Sequence, residues 1–184
     1  MQTKNPLENL KSVDLSHLSK EEAKEFTLLL EELEKREKRE SSMASFYDFV
    51  KTIWPEFIAG AHHKKMAEAF DKIASGESKR LIINMPPRHT KSEFASYLFP
   101  AYLLGKRPKL KIIEATHTAD LAINFGRRVR DLIESDDYAE IFPATQLKAD
   151  SRSAGKWTTS QGGEYYAAGI GGALAGRGGD LFII

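Results

Sequence analysis

The sequence contains no cysteine, almost no net charge and no long apolar run. Without cysteine the chain can form neither a disulfide framework nor a thiolate zinc site. Its 27 lysines and arginines nearly balance 26 aspartates and glutamates, so any nucleic-acid contact must use local basic patches. No stretch approaches the roughly 20 apolar residues that span a bilayer, and the charged N-terminus lacks the apolar core of a signal peptide. These absences predict a cytosolic protein, and 184 residues suffice for one ordinary core.

A charged segment precedes the more apolar part of the chain. Residues 1–42 are predicted to form a helical extension. Ser19 and Glu22 have the spacing of a capping box, in which each side chain satisfies a backbone N–H group at a helix start. The helix that follows is predicted to end at Ser41 and Ser42. Its narrow apolar face fits two roles, which are packing on its own domain and docking of a partner subunit.

Residues 43–184 alternate predicted strands and helices, which is typical of an α/β fold with a mainly parallel sheet flanked by helices. Strands are predicted at residues 80–85, 111–116 and 181–184, and helices at residues 61–74, 91–104 and 119–133. The unbroken apolar centre of residues 80–85 suits a strand that is covered on both faces. Pro100 is expected to kink its helix and Gly105 to end it. Residues 157–159 and 164–168 are predicted to form a β-hairpin.

The loop after the first predicted strand carries the side chains of a phosphate-binding loop. Such a loop needs converging backbone N–H groups, a lysine that reaches the phosphates and a serine or threonine that holds magnesium. Lys91 and Ser92 supply the last two at the start of a predicted helix. The usual pattern, G-x-x-x-x-G-K-[ST], would place glycines at Met85 and Thr90. Thr90 is the serious departure, because a β-branched residue restricts the backbone where phosphate must approach closely.

Basic and imidazole side chains elsewhere have more than one interpretation. His62 and His63 are adjacent on a predicted helix and cannot both face one ligand, so they fit surface positions or a place near a nucleotide base. Residues 106–111 form the densest basic stretch, which fits either DNA backbone binding without sequence preference or a solvated loop. Arg127, Arg128 and Arg130 fit contacts to DNA or to a neighbouring subunit as well as a solvated helix face.

Residues 84–93, with the sequence N-M-P-P-R-H-T-K-S-E, resemble the deviant phosphate loop, of the type P-P-R-H-G-K-S, in the large terminase subunits of tailed bacteriophages. Further matching segments keep the same order, and they are Phe99-Pro100, Leu104-Gly105, Ala115-Thr116-His117, residues 126–130, Ile141-Phe142-Pro143 and residues 171–180. The resemblance covers residues 45–184. It implies a P-loop NTPase of the additional-strand, RecA-like type, the ATPase part of a motor that drives double-stranded DNA into a preformed capsid.

The resemblance assigns roles to individual residues. The ATP-binding residues would be Pro87, Arg88, His89, Thr90, Lys91 and Ser92, with Ser92 also a ligand of Mg²⁺. The catalytic residues would be Lys91, Arg88 and Arg177. Arg88 would stabilise the γ-phosphate, with a salt bridge inside the loop as the alternative. Arg177, between glycines, would act as an arginine finger on a neighbouring subunit, with a DNA-phosphate contact or a plain surface charge as its alternatives. Many such ATPases recognise adenine through a glutamine upstream of the phosphate loop. Here the base would have to be recognised by another residue or by backbone, because no glutamine occurs between Gln2 and Gln146.

In such proteins the last predicted strand leads into a pair of acidic residues that position magnesium, and the sequence stops at Ile184 before them. We therefore expect an ATPase domain that is incomplete at its C-terminus, lacks the nuclease domain and leaves sheet edges open. The implied partners are double-stranded DNA, the portal protein, the small terminase subunit and further copies in a homo-oligomeric ring, a pentamer by resemblance. The implied location is the cytoplasm of the infected bacterial host, with no membrane contact. Two alternatives are a non-hydrolysing assembly fragment that binds nucleotide or a partner, and a helicase-like P-loop ATPase.

Overall fold

The computed structural model describes residues 6–172, Leu174 and residues 176–184. Residues 1–5 of the predicted extension, and Ala173 and Ala175 of the matching segment at residues 171–180, lie outside the described residues. The chain divides into two compact units, Met1–Ser41 and Ser42–Ile184. The helices are α1 (Pro6–Lys11), α2 (Lys20–Ala44), α3 (Phe46–Ile53), α4 (Ala61–Ser75), a π-helical segment (Glu93–Leu98), α5 (Phe99–Lys106), α6 (Ala119–Ile133) and α7 (Asp136–Ile141). The strands are β1 (Lys111–Thr116), β2 (Leu147–Arg152), β3 (Lys156–Thr159), β4 (Glu164–Gly169) and β5 (Leu181–Ile183).

The predicted capping box begins α2. The N–H of Ser19 donates to Glu22 Oε2 at 2.9 Å, and the N–H of Glu22 donates to Ser19 Oγ at 3.3 Å. The predicted end at Ser41 and Ser42 is wrong, because α2 continues to Ala44. Ser42 is buried, and its hydroxyl is hydrogen-bonded to that of Thr52 at 2.9 Å. A serine hydroxyl with such a partner does not compete for the helix backbone, so the helix continues through it.

A five-stranded mixed sheet, in the order β2-β3-β4-β1-β5, organises the second unit. β1 pairs in parallel with β4 and β5, whereas β3 pairs antiparallel with β4 and β2. The predictions for β1, α6 and the hairpin of β3 and β4 are confirmed. The sheet is not mainly parallel, because β3 and β2 extend it beyond β4 through two antiparallel pairings. Its parallel part consists of β4, β1 and β5. Among the described residues, no helix is both long and apolar enough to cross a membrane.

The prediction of a strand at residues 80–85 is wrong. This segment is outside the sheet, and Leu81 and Ile82 are 39% and 85% exposed. Residues of the segment and of β5 both line a groove of about 750 Å³. Residues 80–85 therefore have no strand to pair with in the described part of the chain, and the outer edge of β5 is unpaired.

The helical region after the loop begins as predicted but differs in shape. Its first part is the π-helical segment, and Pro100 lies at the start of α5. Proline has no N–H for an intrahelical bond, so the change of helix type at this position satisfies the backbone without one. Gly105 does not end the helix, which reaches Lys106. A Cβ atom at Gly105 would lie 2.4 Å from a ring carbon of Phe142, so close packing accounts for this glycine.

Aromatic side chains fill the core between the sheet and the helices around it. The ring of Phe46 lies with its centroid 5.2 Å from that of Phe70 and 5.5 Å from those of Phe94 and Phe99. Edge-to-face packing of this kind adds to the free energy gained by burying the rings. Phe94 and Phe99 belong to the helical region that follows the loop, so the aromatic core anchors that region.

Candidate functional site

The loop at residues 86–92 has an unusual backbone. Arg88 has φ = +63° and Thr90 has φ = +59°, and these are the only non-glycine residues with positive φ in the described part of the chain. The intervening residues keep the ordinary sign, so the sign of φ alternates along the loop. A β-branched residue in the left-handed region is uncommon and is kept there by its surroundings.

Alternating backbone conformations of this kind turn successive N–H groups toward a common point and form an anion-binding nest. Residues 87 and 88 form a turn that directs the N–H of His89 toward the carbonyl of Pro86, whereas the backbone N–H groups of Arg88 and of residues 90–92 donate no hydrogen bond within the described part of the chain. The same residues lead into the first helical turn at Lys91 and Ser92, where the helix dipole favours negative charge. The loop therefore offers unpaired donors and a positive dipole end at one place.

The side chains of the loop differ in exposure and in their hydrogen-bond partners. Lys91 is half-buried, and its ammonium group donates to the carbonyl oxygen of Pro86 at 3.5 Å. Arg88 is exposed and forms no salt bridge with any described residue, so the alternative of a salt bridge inside the loop is not realised. His89 is exposed and its Nδ1 donates to the carbonyl oxygen of Pro87 at 2.9 Å, which shapes the loop. Lysine and arginine side chains thus lie beside unpaired N–H groups, and all of these groups are hydrogen-bond donors.

The loop also has one oxygen suited to magnesium. Ser92 is exposed on the first helical turn beside the loop. Mg²⁺ in nucleotide sites takes few protein ligands and completes its octahedron with water and phosphate oxygens, so one hydroxyl at this position fits it. In the described part of the chain, no group of three or more histidine and acidic side chains is arranged to hold a metal ion. A fully protein-built metal centre is thus not present among those residues.

A buried histidine contacts the loop from α4. His63 lies at the third position of α4, and its Nε2 is 2.7 Å from Oγ1 of Thr90. Its Nδ1 accepts a hydrogen bond from the N–H of Gly60 at 2.8 Å. Burial, followed by the nearby His62 and His89 rings, lowers the pKa of His63 below its usual value. The sequence predicted a surface or base-contacting role for this residue, and the structure instead places it against the side chain of Thr90 in the loop.

An ion pair supports the helix that follows the loop. The guanidinium group of Arg128 on α6 donates to both carboxylate oxygens of Glu93, at 3.0 and 2.5 Å. The same guanidinium lies 4.1 Å from the ring centroid of Tyr97. Arg128 is therefore used inside the second unit and is not part of a solvated helix face. Sequence reasoning missed this pair because its members are 35 residues apart and no local pattern joins them.

Arg177 contacts a strand of the sheet and not the loop. It is exposed, and its guanidinium carbon is 3.9 Å from the ring centroid of Tyr166 on β4. It lines a small groove with Lys111 and Glu164, which are the first residues of β1 and β4. Among the described residues, no contact joins Arg177 to Arg88 or Lys91. The structure thus brings together the loop residues but not the third predicted catalytic residue.

Comparison of the chain with protein-family models, with curated proteins and with solved structures gives no match. The class of protein is defined by the structure alone. It is an α/β protein whose five-stranded mixed sheet is flanked by helices. Its function has to be argued from the loop.

Proposed function

We propose that this chain is the ATP-binding part of a phage large terminase, a P-loop ATPase of the additional-strand, RecA-like type that moves double-stranded DNA into a procapsid. The observation that carries the proposal is the set of unpaired N–H groups at Arg88 and residues 90–92, in a loop whose φ angles alternate in sign before a helix start. Phosphate groups are the ligands that such a nest and helix start bind best. The resemblance of residues 84–93 to the terminase loop supplies the substrate and the reaction.

The loop residues would divide the work of binding and charge stabilisation. The N–H groups of Arg88 and residues 90–92 would bind phosphate oxygens, and Lys91 would exchange its hydrogen bond to the Pro86 carbonyl for bonds to the phosphate chain. Arg88, which has no salt-bridge partner among the described residues, would stabilise charge that develops on the transferred phosphoryl group. Ser92 would hold Mg²⁺, which supplies further charge neutralisation when it is bound with ATP. Positioning and electrostatics dominate this type of reaction.

The partners proposed for this motor are double-stranded DNA, the portal protein, the small terminase subunit and further copies in a ring, in the cytoplasm of an infected bacterium. An arginine-finger role for Arg177 requires a neighbouring copy, because this side chain does not reach the loop of its own chain. In the basic stretch, Arg107 donates to the carbonyl oxygen of Ala74 at 2.7 Å and Lys106 to the hydroxyl of Tyr102 at 3.2 Å. Lys109 is exposed and is the better candidate for a DNA phosphate contact.

Replacing Lys91 by alanine is expected to weaken Mg·ATP binding by at least about tenfold, because a charge-assisted hydrogen bond to phosphate contributes about 1.5–3 kcal/mol. Isothermal titration calorimetry of the two proteins measures this change. Lys65→Ala is the matched control, since Lys65 is exposed on α4 outside the loop, and its affinity is expected to equal that of the unsubstituted chain. ADP is expected to bind more tightly than AMP, because the nest binds the outer phosphates.

Equal affinities of the Lys91→Ala and Lys65→Ala proteins for Mg·ATP would show that the loop is not a phosphate site. Tight binding of AMP or adenosine with no gain from added phosphates would lead to the same conclusion. Either result would remove the terminase proposal, because its chemistry depends on this loop.

A further inference from the structure

Thr90 is held in the left-handed region by a contact from outside the loop. Its φ of +59° is one that a β-branched residue adopts only under restraint. The hydrogen bond to His63 joins it to a residue 27 positions earlier, on α4. A glycine at this position would need no such restraint. The restraint on Thr90 is therefore a property of this chain that the general phosphate-loop pattern does not contain.

The donors and acceptors around His63 define one protonation state of its ring. The N–H of Gly60 can only donate, so Nδ1 of His63 carries no proton. Nε2 then carries the proton and donates it to Oγ1 of Thr90 at 2.7 Å. The hydroxyl of Thr90 in turn donates to the carbonyl oxygen of His89 at 2.7 Å. Each hydrogen in this chain has one acceptor, and the ring must be neutral for all three bonds to exist.

Packing fixes the ring of His63 in that position. The side chain is 6% exposed. Its centroid lies 4.7 Å from that of Phe57 and 5.5 Å from that of Phe94. The second of these rings belongs to the helical region that the loop leads into. A flip of the imidazole would exchange its donor and acceptor and break both bonds.

We propose that His63 is a positioning residue of the nucleotide loop, whose neutral ring donates from Nε2 to Thr90 and holds it in the left-handed conformation. Protonation of Nδ1 would remove the hydrogen bond from the N–H of Gly60 that fixes the ring, so the ring would shift, the restraint on Thr90 would loosen and nucleotide binding would weaken. This inference rests on the proposed nucleotide-binding function. It adds a residue outside the loop and a dependence on pH to that function.

None of the described groups that surround the ring of His63 stabilises a positive charge on it. His62 on α4 lies 3.8 Å from it between ring centroids, and His89 of the loop lies 6.0 Å from His62. Phe57 and Phe94, from the other two sides, carry no charge. A proton on Nδ1 would meet the N–H of Gly60 directly and would repel any charge on the other two imidazoles. The lowered pKa of His63 agrees with this arrangement.

Two measurements on the full chain test the proposal together. The ¹⁵N shifts of the His63 ring are expected to show the Nε2–H tautomer at pH 8, and the amide signal of Thr90 is expected to move as His63 titrates below pH 6.5. Affinity for Mg·ATP is expected to fall over the same pH range. His63→Ala is expected to lower affinity at pH 8 by about tenfold, the factor that corresponds to about 1.4 kcal/mol of lost restraint.

Three variants separate positioning from a general loss of structure. His63→Gln keeps a donor near Thr90 without a titrating ring, so its affinity at pH 8 is expected to stay within about threefold of the unsubstituted chain, with a shallower fall on acidification. Thr90→Gly accepts positive φ without help, so adding His63→Ala to it is expected to cost less than twofold. His62→Ala, an exposed neighbour on the same helix, is expected to bind as the unsubstituted chain does at pH 8.

A Thr90 amide signal whose chemical shift stays constant while His63 titrates would overturn the proposal. So would a full tenfold loss from His63→Ala in the Thr90→Gly background, because the two residues would then act independently. If Lys91→Ala leaves binding unchanged while the Thr90 signal still follows His63, the nucleotide function fails and the positioning of the loop by His63 stands. The two conclusions are thus distinguishable.

Discussion

Replacing Trp157 by alanine is expected to lower the free energy of unfolding by about 3–5 kcal/mol, the range typical of large aromatic side chains removed from cores. Trp157 on β3 is 0% exposed. Its ring is stacked on that of Tyr165 with centroids 4.8 Å apart and an angle of 4° between the planes. Its indole N–H donates to the carbonyl oxygen of Gly126 on α6 at 3.0 Å. The substitution would therefore leave a large cavity and remove the additional hydrogen bond that the Gly126 carbonyl accepts from the indole.

Urea unfolding monitored by circular dichroism measures this loss. Trp157→Phe, which keeps most of the ring volume but not the N–H, is expected to cost less than the alanine variant. Trp54→Ala is the matched control, since Trp54 is only half-buried at the end of α3 and is expected to cost clearly less than Trp157→Ala. An alanine variant at position 157 as stable as the Trp54 control would show that β3 does not join the core as described.

The elements that sequence patterns predict well are those whose stability is encoded locally. Helix α6 is capped by Thr118, whose hydroxyl accepts a hydrogen bond from the N–H of Leu121 at 3.3 Å. Helix α4 ends at Gly76, which has φ = +82° and so satisfies the left-handed C-cap that a glycine predicts. In each case neighbours within one or two turns decide the conformation.

Residues 80–85 show why a local pattern can fail. Their centre is more apolar than that of β1, which contains Glu114, so the difference lies in the strands beside the two segments. β1 has a strand on each side, whereas the segment at residues 80–85 faces a groove. A strand exists only when a partner supplies its ladder of hydrogen bonds. That partner is set by long-range topology, which a run of apolar residues does not specify.

The candidate site was predictable in its residues but not in its geometry. Lys91 and Ser92 follow from a pattern of residue types at a helix start. Thr90, by contrast, reads from sequence as an obstacle to phosphate approach, yet it adopts the left-handed conformation that a glycine would have. The hydrogen bond that keeps it there comes from His63, whose position beside the loop depends on how α4 packs. The expected glycine is thus replaced by a pair of residues that no local pattern connects.

Glu114 gives the second large expected effect, on the dependence of stability on pH. It lies in the middle of β1, is 0% exposed, and accepts a hydrogen bond from the hydroxyl of Tyr165. Burial raises its pKa from 4.5 to about 7, although the bond from Tyr165 acts in the opposite direction. Oε1 of the same carboxyl group has no hydrogen-bond partner among the described residues. The native state therefore favours the neutral, protonated acid.

The sign of the effect follows from the raised pKa. The native state binds the proton more tightly than the unfolded chain, so the stabilisation is complete below about pH 4.5 and is lost as the pH rises to about 7. A shift of this size corresponds to a loss on the order of 3 kcal/mol across that interval. Glu114→Gln, which is neutral at every pH, removes the loss. The difference in unfolding free energy between the Gln variant and the unsubstituted chain is expected to grow in favour of the variant from pH 4.5 to pH 8.

Urea unfolding of both proteins at pH 4.5, 6 and 8 measures that difference. The two proteins share all other titratable groups, so the pH dependence that those groups cause is the same in both and cancels in the difference. Tyr165→Phe provides a second variant, because it removes the hydroxyl that stabilises the charged carboxylate while keeping the ring that stacks on Trp157. It is expected to shift the loss of stability to higher pH, since the pKa of Glu114 would rise further. A difference between the Gln variant and the unsubstituted chain that stays constant from pH 4.5 to pH 8 would show that Glu114 titrates as an exposed acid. Its place in the buried centre of β1 would then be wrong, and with it the register that pairs Glu114 with Ala167 and Ile183.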